Sequence, residues 1–479
     1  MRLPALATTA LALTLALLAS APAPAQAPSV APAQLSPELE SKVATVADAV
    51  LKDTGVPSAS VAIVQNGRLV YAHAFGLANV QPPKPATADM AFPIGSISKQ
   101  FTAQAILLLQ QGGKLSVDDP VAKYFPNFTR AREVTLRNLM TMTSGYEDFA
   151  PQDYIIPAWR HPIDPLANVT QWASKPLDFE PGTEWQYSNT NYVILGLIVE
   201  KVSGQPLMQF LSANLLSPLH LQGVFNTYTE RDKLQVTGYV SHALAPVRVL
   251  PLEGTGWYFG DGDLAMPAST LAAWDIAIMQ QSLLSPASYK QFETPFVFKN
   301  GKPSTYGLGT FVRDRNGHRE LEHSGEVGGY VSENILFPDD GLAIVVLTNQ
   351  VASEAAAQIG QQLTSLLLPA AAAAATATAP DPLASQLKSI MAGLQHSQID
   401  RSLFTPDCND YFSPETLADF QSTLAPLGAV TSVTRLHTAQ RGGMTLGIYR
   451  VSFSTGAVIV STYLTPDNKL EQLLVVAKA

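Results

Sequence analysis

Two pairs of predicted strands lie far apart in this sequence, one before residue 80 and one after residue 330. In the first, SVAIV and RLVYAHAF flank Gln65-Asn66-Gly67-Arg68, and Asn-Gly is the preferred pair for a tight type I′ turn. The second covers 333–349, ENILFPDDGLAIVVLTN, with its turn at Pro338-Asp339-Asp340-Gly341. Residues 114–300 between them are rich in proline and mix helices with loops. We therefore predict an α/β fold of the α+β kind, in which both ends build one antiparallel sheet around an inserted helical region.

Three helices are predicted beside these strands, because their apolar residues recur with a period of 3.6. They cover 37–52, the stretch from Ser96 to Gly112-Gly113, and 353–367. Beyond a low-complexity segment, residues 383–479 begin with a helical pattern and end with three alternating strands, at 444–453, 457–464 and 469–477.

The predicted boundaries follow from composition. Arg2 and the apolar run 11–19, which is too short for a membrane anchor, predict a signal peptide over 1–25, cleaved after Ala25, and hence export to the periplasm or the medium. The other predicted segments are a Pro/Ala-rich tether (26–36), the main domain (37–368), an Ala/Thr/Pro linker (369–382) and a small α+β domain of unknown role (383–479).

Composition excludes several classes of protein. With 46% hydrophobic and 14% charged residues the chain is expected to be globular, and its net charge of −9 offers no basic patch for nucleic acid or anionic lipid. Cys408 is the only cysteine, so we expect no internal disulfide, no cysteine nucleophile and no cysteine-rich metal site. No second segment resembles a membrane span.

The stretch FPIGSISKQF places Lys99 at the start of a predicted helix, where the helix dipole disfavours a cation. Residues at i and i+3 share a helix face, so the side chains of Ser96 and Lys99 can meet. A serine hydroxyl is a weak nucleophile until a base takes its proton, and a neutral lysine amine can do so. The alternative is a helix cap beside a solvated lysine.

Two further motifs follow in order. Tyr187-Ser188-Asn189 is the only Y-x-N in the chain, and His323-Ser324-Gly325 is the only H-x-G. A second S-x-x-K, Ser385 to Lys388, opens a predicted surface helix and is interpreted as chance. The competing K-x-G at Lys299-Asn300-Gly301 is interpreted as a hairpin turn.

With these motifs the chain resembles the serine β-lactamase and penicillin-binding-protein superfamily, in particular the class C-like branch that includes esterases and D-amino-acid peptidases. The resemblance covers about residues 37–368 and extends to the flanking stretches LRNLMTMTSGYED, EPGTEWQYSN, GDGDLAMPASTLAAW and TYGLG. It implies a β-lactamase/transpeptidase-like fold and catalysis without a cofactor or metal.

The resemblance also implies roles for individual residues. Ser96 would be the nucleophile, Lys99 and Tyr187 would exchange its proton, and Asn189 would hydrogen-bond the substrate or Lys99. The oxyanion hole would be formed by the backbone N–H groups of Ser96 and of Glu326, which follows Gly325. The resemblance does not decide whether Lys99 or Tyr187 is the general base.

His323 departs from the lysine of the related motif. A lysine is a permanent cation that can recognise a substrate carboxylate, whereas histidine is mostly neutral at pH 7. A Glu326 side chain facing the cleft would further repel carboxylates. We therefore expect an exported serine hydrolase acting on small esters or amides, with a D-stereospecific peptidase or carboxypeptidase second and a β-lactamase third. A non-catalytic binding or sensor protein on the same scaffold is the alternative from another class.

Asp261 and Asp263, in GDGD, resemble a metal pair, but ligands at suitable spacing do not accompany them in the sequence. We interpret them as part of a turn that could border the substrate cleft. The expected partner is a small ester, amide or D-amino-acid-containing substrate, without nucleic acid or a membrane span, and the partner of 383–479 is unknown.

Overall fold

The computed structural model describes residues 34–368, 382–441 and 443–478. The predicted signal peptide, most of the tether and nearly all of the linker lie outside these residues. The α-helices are α1 Pro37–Thr54, α2 Ser98–Gln111, α3 Leu136–Met140, α4 Pro165–Ala173, α5 Asn189–Ser203, α6 Leu207–Leu211, α7 Phe259–Gly262, α8 Ala268–Met279, α9 Pro286–Phe292, α10 Ala355–Leu367, α11 Pro382–Leu394, α12 Pro406–Tyr411 and α13 Pro414–Leu424. The strands are β1 Ser58–Gln65, β2 Arg68–Asn79, β3 Lys84–Pro85, β4 Phe92–Pro93, β5 Phe225–Asn226, β6 Tyr239–Val240, β7 Arg248–Val249, β8 Leu264–Met266, β9 Phe311–Arg315, β10 His318–Val327, β11 Tyr330–Phe337, β12 Leu342–Thr348, β13 Val430–Arg441, β14 Met444–Phe453, β15 Ala457–Leu464 and β16 Leu470–Lys478.

The main sheet joins the two ends of the predicted main domain. Its seven strands are antiparallel and follow the order β3-β2-β1-β12-β11-β10-β9, so β1 pairs directly with β12. Both predicted hairpins are present, and the first turns at Asn66 and Gly67, whose φ angles of 52° and 68° are those that a type I′ turn requires. The prediction of one sheet built from both ends is confirmed.

Helices cover both faces of this sheet. Side chains of β1 alternate between two cores: Val61 and Ile63 pack in the cluster with α1 and α10, while Ala62 and Val64 belong to the larger core of the helical region. A strand buried on both faces reads as a continuous apolar run, as SVAIV does. The predicted tether ends in packed structure, because Leu35 is buried and Ser36 caps α1.

Helix α2 runs through the centre of the helical region and is almost wholly buried. Phe101 stacks on Trp274 of α8 with ring centroids 4.0 Å apart, and α5 packs alongside. A short 3₁₀ turn, Gly95–Ile97, precedes α2, and Gly95 takes a positive φ of 51°. This turn sets the position of Ser96 at the N-terminal end of the buried helix.

Residues 382–478, here called the C-terminal module, fold as α11–α13 packed on the four-stranded antiparallel sheet β13-β14-β15-β16. The three predicted strands correspond to β14, β15 and β16, but β13 was missed. Its side chains are mostly exposed or half-buried, so it lacks the apolar alternation of its neighbours. The module packs against the main domain through Tyr154, whose hydroxyl donates to the carbonyl of Glu471 at 2.8 Å.

Gly325 of β10 should not tolerate a side chain. A Cβ there would lie 1.9 Å from the carbonyl oxygen of Ile94 and 2.5 Å from Ser332 Oγ. We expect Gly325→Ala to lower the free energy of unfolding by about 1–3 kcal/mol or more, measured by denaturant unfolding. Gly112→Ala is the control, because Gly112 has a φ of −76° and its Cβ would meet Leu108 O at an ordinary 3.5 Å. Equal stability of the two variants would contradict the close approach of β10 to the 94–96 turn.

Candidate active site

The 3₁₀ turn and the first turn of α2 bring Ser96 and Lys99 together. Lys99 Nζ lies 2.8 Å from Ser96 Oγ, and the lysine side chain is fully buried. The unfavourable position of a lysine at this helix start is therefore compensated by contacts inside the protein. The solvated-lysine alternative is wrong.

Lys99 is held by two other segments. Its Nζ donates to Asn189 Oδ1 at 2.7 Å and to the backbone carbonyl of Asp261 at 3.1 Å, with Asp261 Oδ2 at 3.4 Å. Burial, reinforced by the nearby Asp263 and Asp148, raises the pKa of Asp261 well above its usual range despite Lys99. Lys99 Nζ lies closer to the backbone carbonyl of Asp261 than to its carboxyl group.

The GDGD stretch contributes to the site in a way that sequence reasoning did not foresee. Asp261 lies in the short helix α7 and contacts Lys99, whereas Asp263 faces Asn226, whose Nδ2 donates to it at 2.9 Å. Among the described residues, no group of three His, Cys, Asp or Glu side chains could hold a metal ion.

Tyr187 and Asn189 reach the same place from the start of α5. The backbone N–H of Asn189 donates to Asp148 Oδ1 at 2.9 Å, and its Nδ2 donates to the carbonyl of Ala150 at 3.1 Å. These bonds turn Asn189 Oδ1 toward Lys99. The Tyr187 ring centroid lies 5.0 Å from Lys99 Nζ and 6.1 Å from the His323 ring.

The hydrogen bonds of His323 define its tautomer. Nδ1 lies 2.6 Å from the carbonyl oxygen of Ser324, which can only accept, so Nδ1 carries the proton. Nε2 then accepts from the Tyr306 hydroxyl at 2.9 Å. Burial, together with the charge of Lys99, lowers the pKa of His323 to about 3. The third motif therefore presents a neutral imidazole rather than a cation.

The backbone of β10 runs against the turn that carries Ser96. A Cβ at Gly95 would lie 2.7 Å from the Glu326 backbone nitrogen, so this N–H group is adjacent to the predicted nucleophile. The Glu326 side chain borders the cavity and accepts from the Ala352 backbone N–H at 2.8 Å. Burial and the neighbouring Asp153 raise the pKa of Glu326 well above its usual range, which reduces the repulsion expected from sequence.

A cavity of about 340 Å³ is bordered by Ser96, Tyr187, Asn189, His323 and Glu326. Aromatic side chains form much of its wall: Tyr154, Trp159, Trp185, Tyr187, Tyr258 and Phe311. The C-terminal module contributes Arg441, Leu446 and Tyr463 to the lining. Sequence reasoning assigned this module no part in the site, and it also missed Asp148 and Tyr306, although both stand in stretches that carry the resemblance.

The two competing motif copies lie in other settings. Ser385 is exposed on α11, and Lys388 Nζ donates to the carbonyl of Thr431 at 3.1 Å. Lys299-Asn300-Gly301 forms a turn in which Gly301 has a φ of 81°, between the bridged residues Val297 and Pro303. The interpretation of the K-x-G at Lys299-Asn300-Gly301 as a hairpin turn is confirmed.

Comparison with known proteins agrees with this geometry. A family model described as Beta-lactamase matches residues 43–367. The putative penicillin-binding protein PbpX of Bacillus subtilis (strain 168) is 30% identical over 315 residues, covering 65% of this chain and 74% of that protein. A D-aminopeptidase of Brucella canis is 27% identical over 310 residues, covering 61% and 56% respectively. A penicillin-binding protein homologue from Pyrococcus abyssi superposes with a TM-score of 0.58 at 21% identity, covering 92% of this chain and 98% of that one. The predicted fold is confirmed.

His323 should stay neutral across the physiological range. Its pKa is lowered from 6.5 to about 3, so between these values the unfolded chain binds a proton that the folded chain does not. Its contribution to stability is full above pH 6.5 and is lost as the pH falls toward 3. We expect the difference in unfolding free energy between wild type and His323→Gln to shrink over this range, measured by denaturant unfolding at several pH values. An imidazole NMR signal, assigned with the same variant, that titrates near pH 6.5 would contradict the prediction.

Proposed function

Because this chain belongs to the beta-lactamase family, we propose that it is a serine hydrolase that forms an acyl-enzyme at Ser96. The observation that carries the proposal is the 2.8 Å contact of Ser96 Oγ, which borders the cavity, with a fully buried Lys99. Hydrolases of this kind need a nucleophile, a base within hydrogen-bond reach and a group that orients the base. Ser96 would supply the nucleophile and Lys99 or Tyr187 the base, and Asn189 orients Lys99.

In the proposed reaction, Ser96 Oγ attacks the substrate carbonyl carbon while its proton passes to Lys99 or Tyr187. The backbone N–H groups of Ser96 and Glu326 stabilise the resulting oxyanion. The bond from carbon to the leaving oxygen or nitrogen then breaks, and Tyr187 or Lys99 returns the proton to that atom. A water molecule hydrolyses the acyl-serine, which releases the acid and regenerates the Ser96 hydroxyl.

We propose small neutral esters or amides as the substrates. The neutral His323 offers no cation to a substrate carboxylate, whereas the aromatic wall suits an apolar acyl group. These features favour an esterase over an efficient β-lactamase.

A D-stereospecific peptidase is the second candidate, because hydrogen-bond acceptors for an ammonium group border the same cavity. Gln152 Oε1 is buried without a partner among the described residues, and Asp153 lies beside it in the lining. The similarity to a protein named D-aminopeptidase points the same way. Turnover of D-alanine p-nitroanilide faster than p-nitrophenyl butyrate, measured as kcat/KM, would place this candidate first.

We further propose export, with cleavage after Ala25; the predicted signal peptide lies outside the described residues. None of the helices in the described part of the chain is both long and apolar enough to span a bilayer. N-terminal sequencing of protein secreted by the native host tests the cleavage position, and a mature chain that still begins at Met1 would contradict it.

Ser96→Ala should abolish acylation. We expect intact mass spectrometry of the wild type after brief exposure to p-nitrophenyl butyrate to show a butyryl adduct or product release, and Ser96→Ala to show neither. Ser385→Ala is the matched control, because it removes the serine of the second S-x-x-K and should react as the wild type does. A persistent penicilloyl adduct in a parallel exposure to a penicillin would favour a penicillin-binding peptidase. A wild type that reacts with none of these compounds would favour the non-catalytic scaffold.

Tyr187→Phe should lower kcat and leave KM nearly unchanged. The substitution keeps the ring between Lys99 and His323 but removes the hydroxyl, and loss of a general acid–base costs about 10²–10⁴-fold in rate. Steady-state kinetics with p-nitrophenyl butyrate measure the effect, with Tyr71→Phe on β2 as the control. A kcat within about twofold of wild type would assign the proton transfers to Lys99 alone.

A further inference from the structure

Arg441 stands at the end of β13, where the chain turns toward β14. Its backbone forms a parallel bridge with that of Tyr187, a residue of the second motif. The C-terminal module thus touches the predicted catalytic tyrosine through the main chain. Among the described residues that line the cavity, Arg441 is also the only lysine or arginine.

The guanidinium of Arg441 joins the module to the loop that precedes the second motif. Its Nη2 donates to the carbonyl of Ala150 at 3.1 Å, and its Nη1 donates to the hydroxyl of Tyr463 at 3.0 Å. The carboxylates of Asp148 and Asp153 lie within ion-pair distance, at 3.4 and 3.5 Å. The guanidinium carbon also lies 5.2 Å from the Tyr187 ring centroid.

The groups that Arg441 contacts are the groups that orient Asn189. Asp148 accepts from the backbone N–H of Asn189, and the carbonyl of Ala150 accepts from its Nδ2. Asn189 Oδ1 in turn accepts from Lys99, whose Nζ lies 2.8 Å from Ser96 Oγ. A continuous chain of polar contacts therefore runs from the module to the proposed nucleophile.

Because these polar contacts are buried, the charge of Arg441 is needed to hold them in place. The Asp148 side chain is fully buried, and that of Arg441 is 23% exposed. Removing one partner of a buried charged pair leaves the other without compensation, which strongly disfavours the original arrangement. Without Arg441, the 148–150 loop would lose the cation that its carboxylate and carbonyl both face.

We propose that Arg441 is a positioning residue for the reaction at Ser96, through which the C-terminal module keeps Asn189 and Lys99 in their reactive geometry. This inference rests on the proposed function. Arg441 exchanges no proton and forms no bond to the substrate in this role. Its effect should fall on kcat, because the lysine and the serine are misaligned while the aromatic wall still binds the acyl group.

The test compares Arg441→Ala, Arg441→Lys and Arg450→Ala in the full chain, with p-nitrophenyl butyrate as the substrate. Arg450 is the matched control, because it is an exposed arginine on β14 of the same module. We expect Arg441→Ala to lower kcat about tenfold to a hundredfold with a much smaller change in KM, since small misplacements of reacting groups have effects of this size. Guanidinium chloride at a sub-denaturing concentration should restore part of this loss by occupying the vacated site, and sodium chloride at equal ionic strength should not.

Arg441→Lys should recover part of the rate, because an ammonium replaces the charge but not the planar fork. It also keeps the test valid if Arg441→Ala fails to fold. A wild-type kcat in Arg441→Ala, or a loss that neither lysine nor guanidinium recovers, would overturn the inference alone. A wild type that does not react at Ser96 would overturn the proposed function and this inference with it.

Discussion

The buried ammonium or amine of Lys99 is the group around which the site is organised. It carries no exposed surface, so every polar contact that it needs must come from the protein. Those contacts come from Ser96 in the 3₁₀ turn before α2, from Asn189 at the start of α5 and from Asp261 in α7. Three segments that are remote in sequence are thereby tied to one atom, and the Ser96 hydroxyl is oriented as a consequence.

Glycines allow a fourth segment, strand β10, to approach the turn that carries Ser96. The β10 backbone passes so close to the 94–96 turn that a side chain at Gly95 would collide with Glu326 of β10, and one at Gly325 would collide with the carbonyl of Ile94. The glycine of the third motif thus follows from steric contact between two backbones. The histidine of that motif is fixed by Tyr306 on one side and by its neighbour's carbonyl on the other, which settles both its tautomer and its lack of charge.

The sheet, the helix α2 and the three motifs were predictable from sequence, because each depends on a local pattern. Asn66-Gly67 determines its own turn, and Ser96 and Lys99 meet within one helical turn. Arg441 was not predictable as a site residue, since its importance comes only from contact across the chain, whereas Asp148 was marked only by the stretch in which it stands. Strand β13 was missed for a related reason, because its largely exposed side chains lack the alternation that marks β14–β16.

The position of Arg441 bears on why the third motif has a histidine, His323, where the related motif has a lysine. A lysine at position 323 would add a free cation near Lys99, whereas the neutral imidazole leaves that part of the cavity uncharged. The cation that does line the cavity is already engaged by two carboxylates and a carbonyl, so its charge is compensated within the protein. The cavity therefore combines an oriented Ser96 hydroxyl with a wall whose only lysine or arginine, among the described residues, is already paired with carboxylates. Under the proposed function this balance of charge favours neutral acyl groups, and it makes the C-terminal module part of the same electrostatic arrangement as the serine.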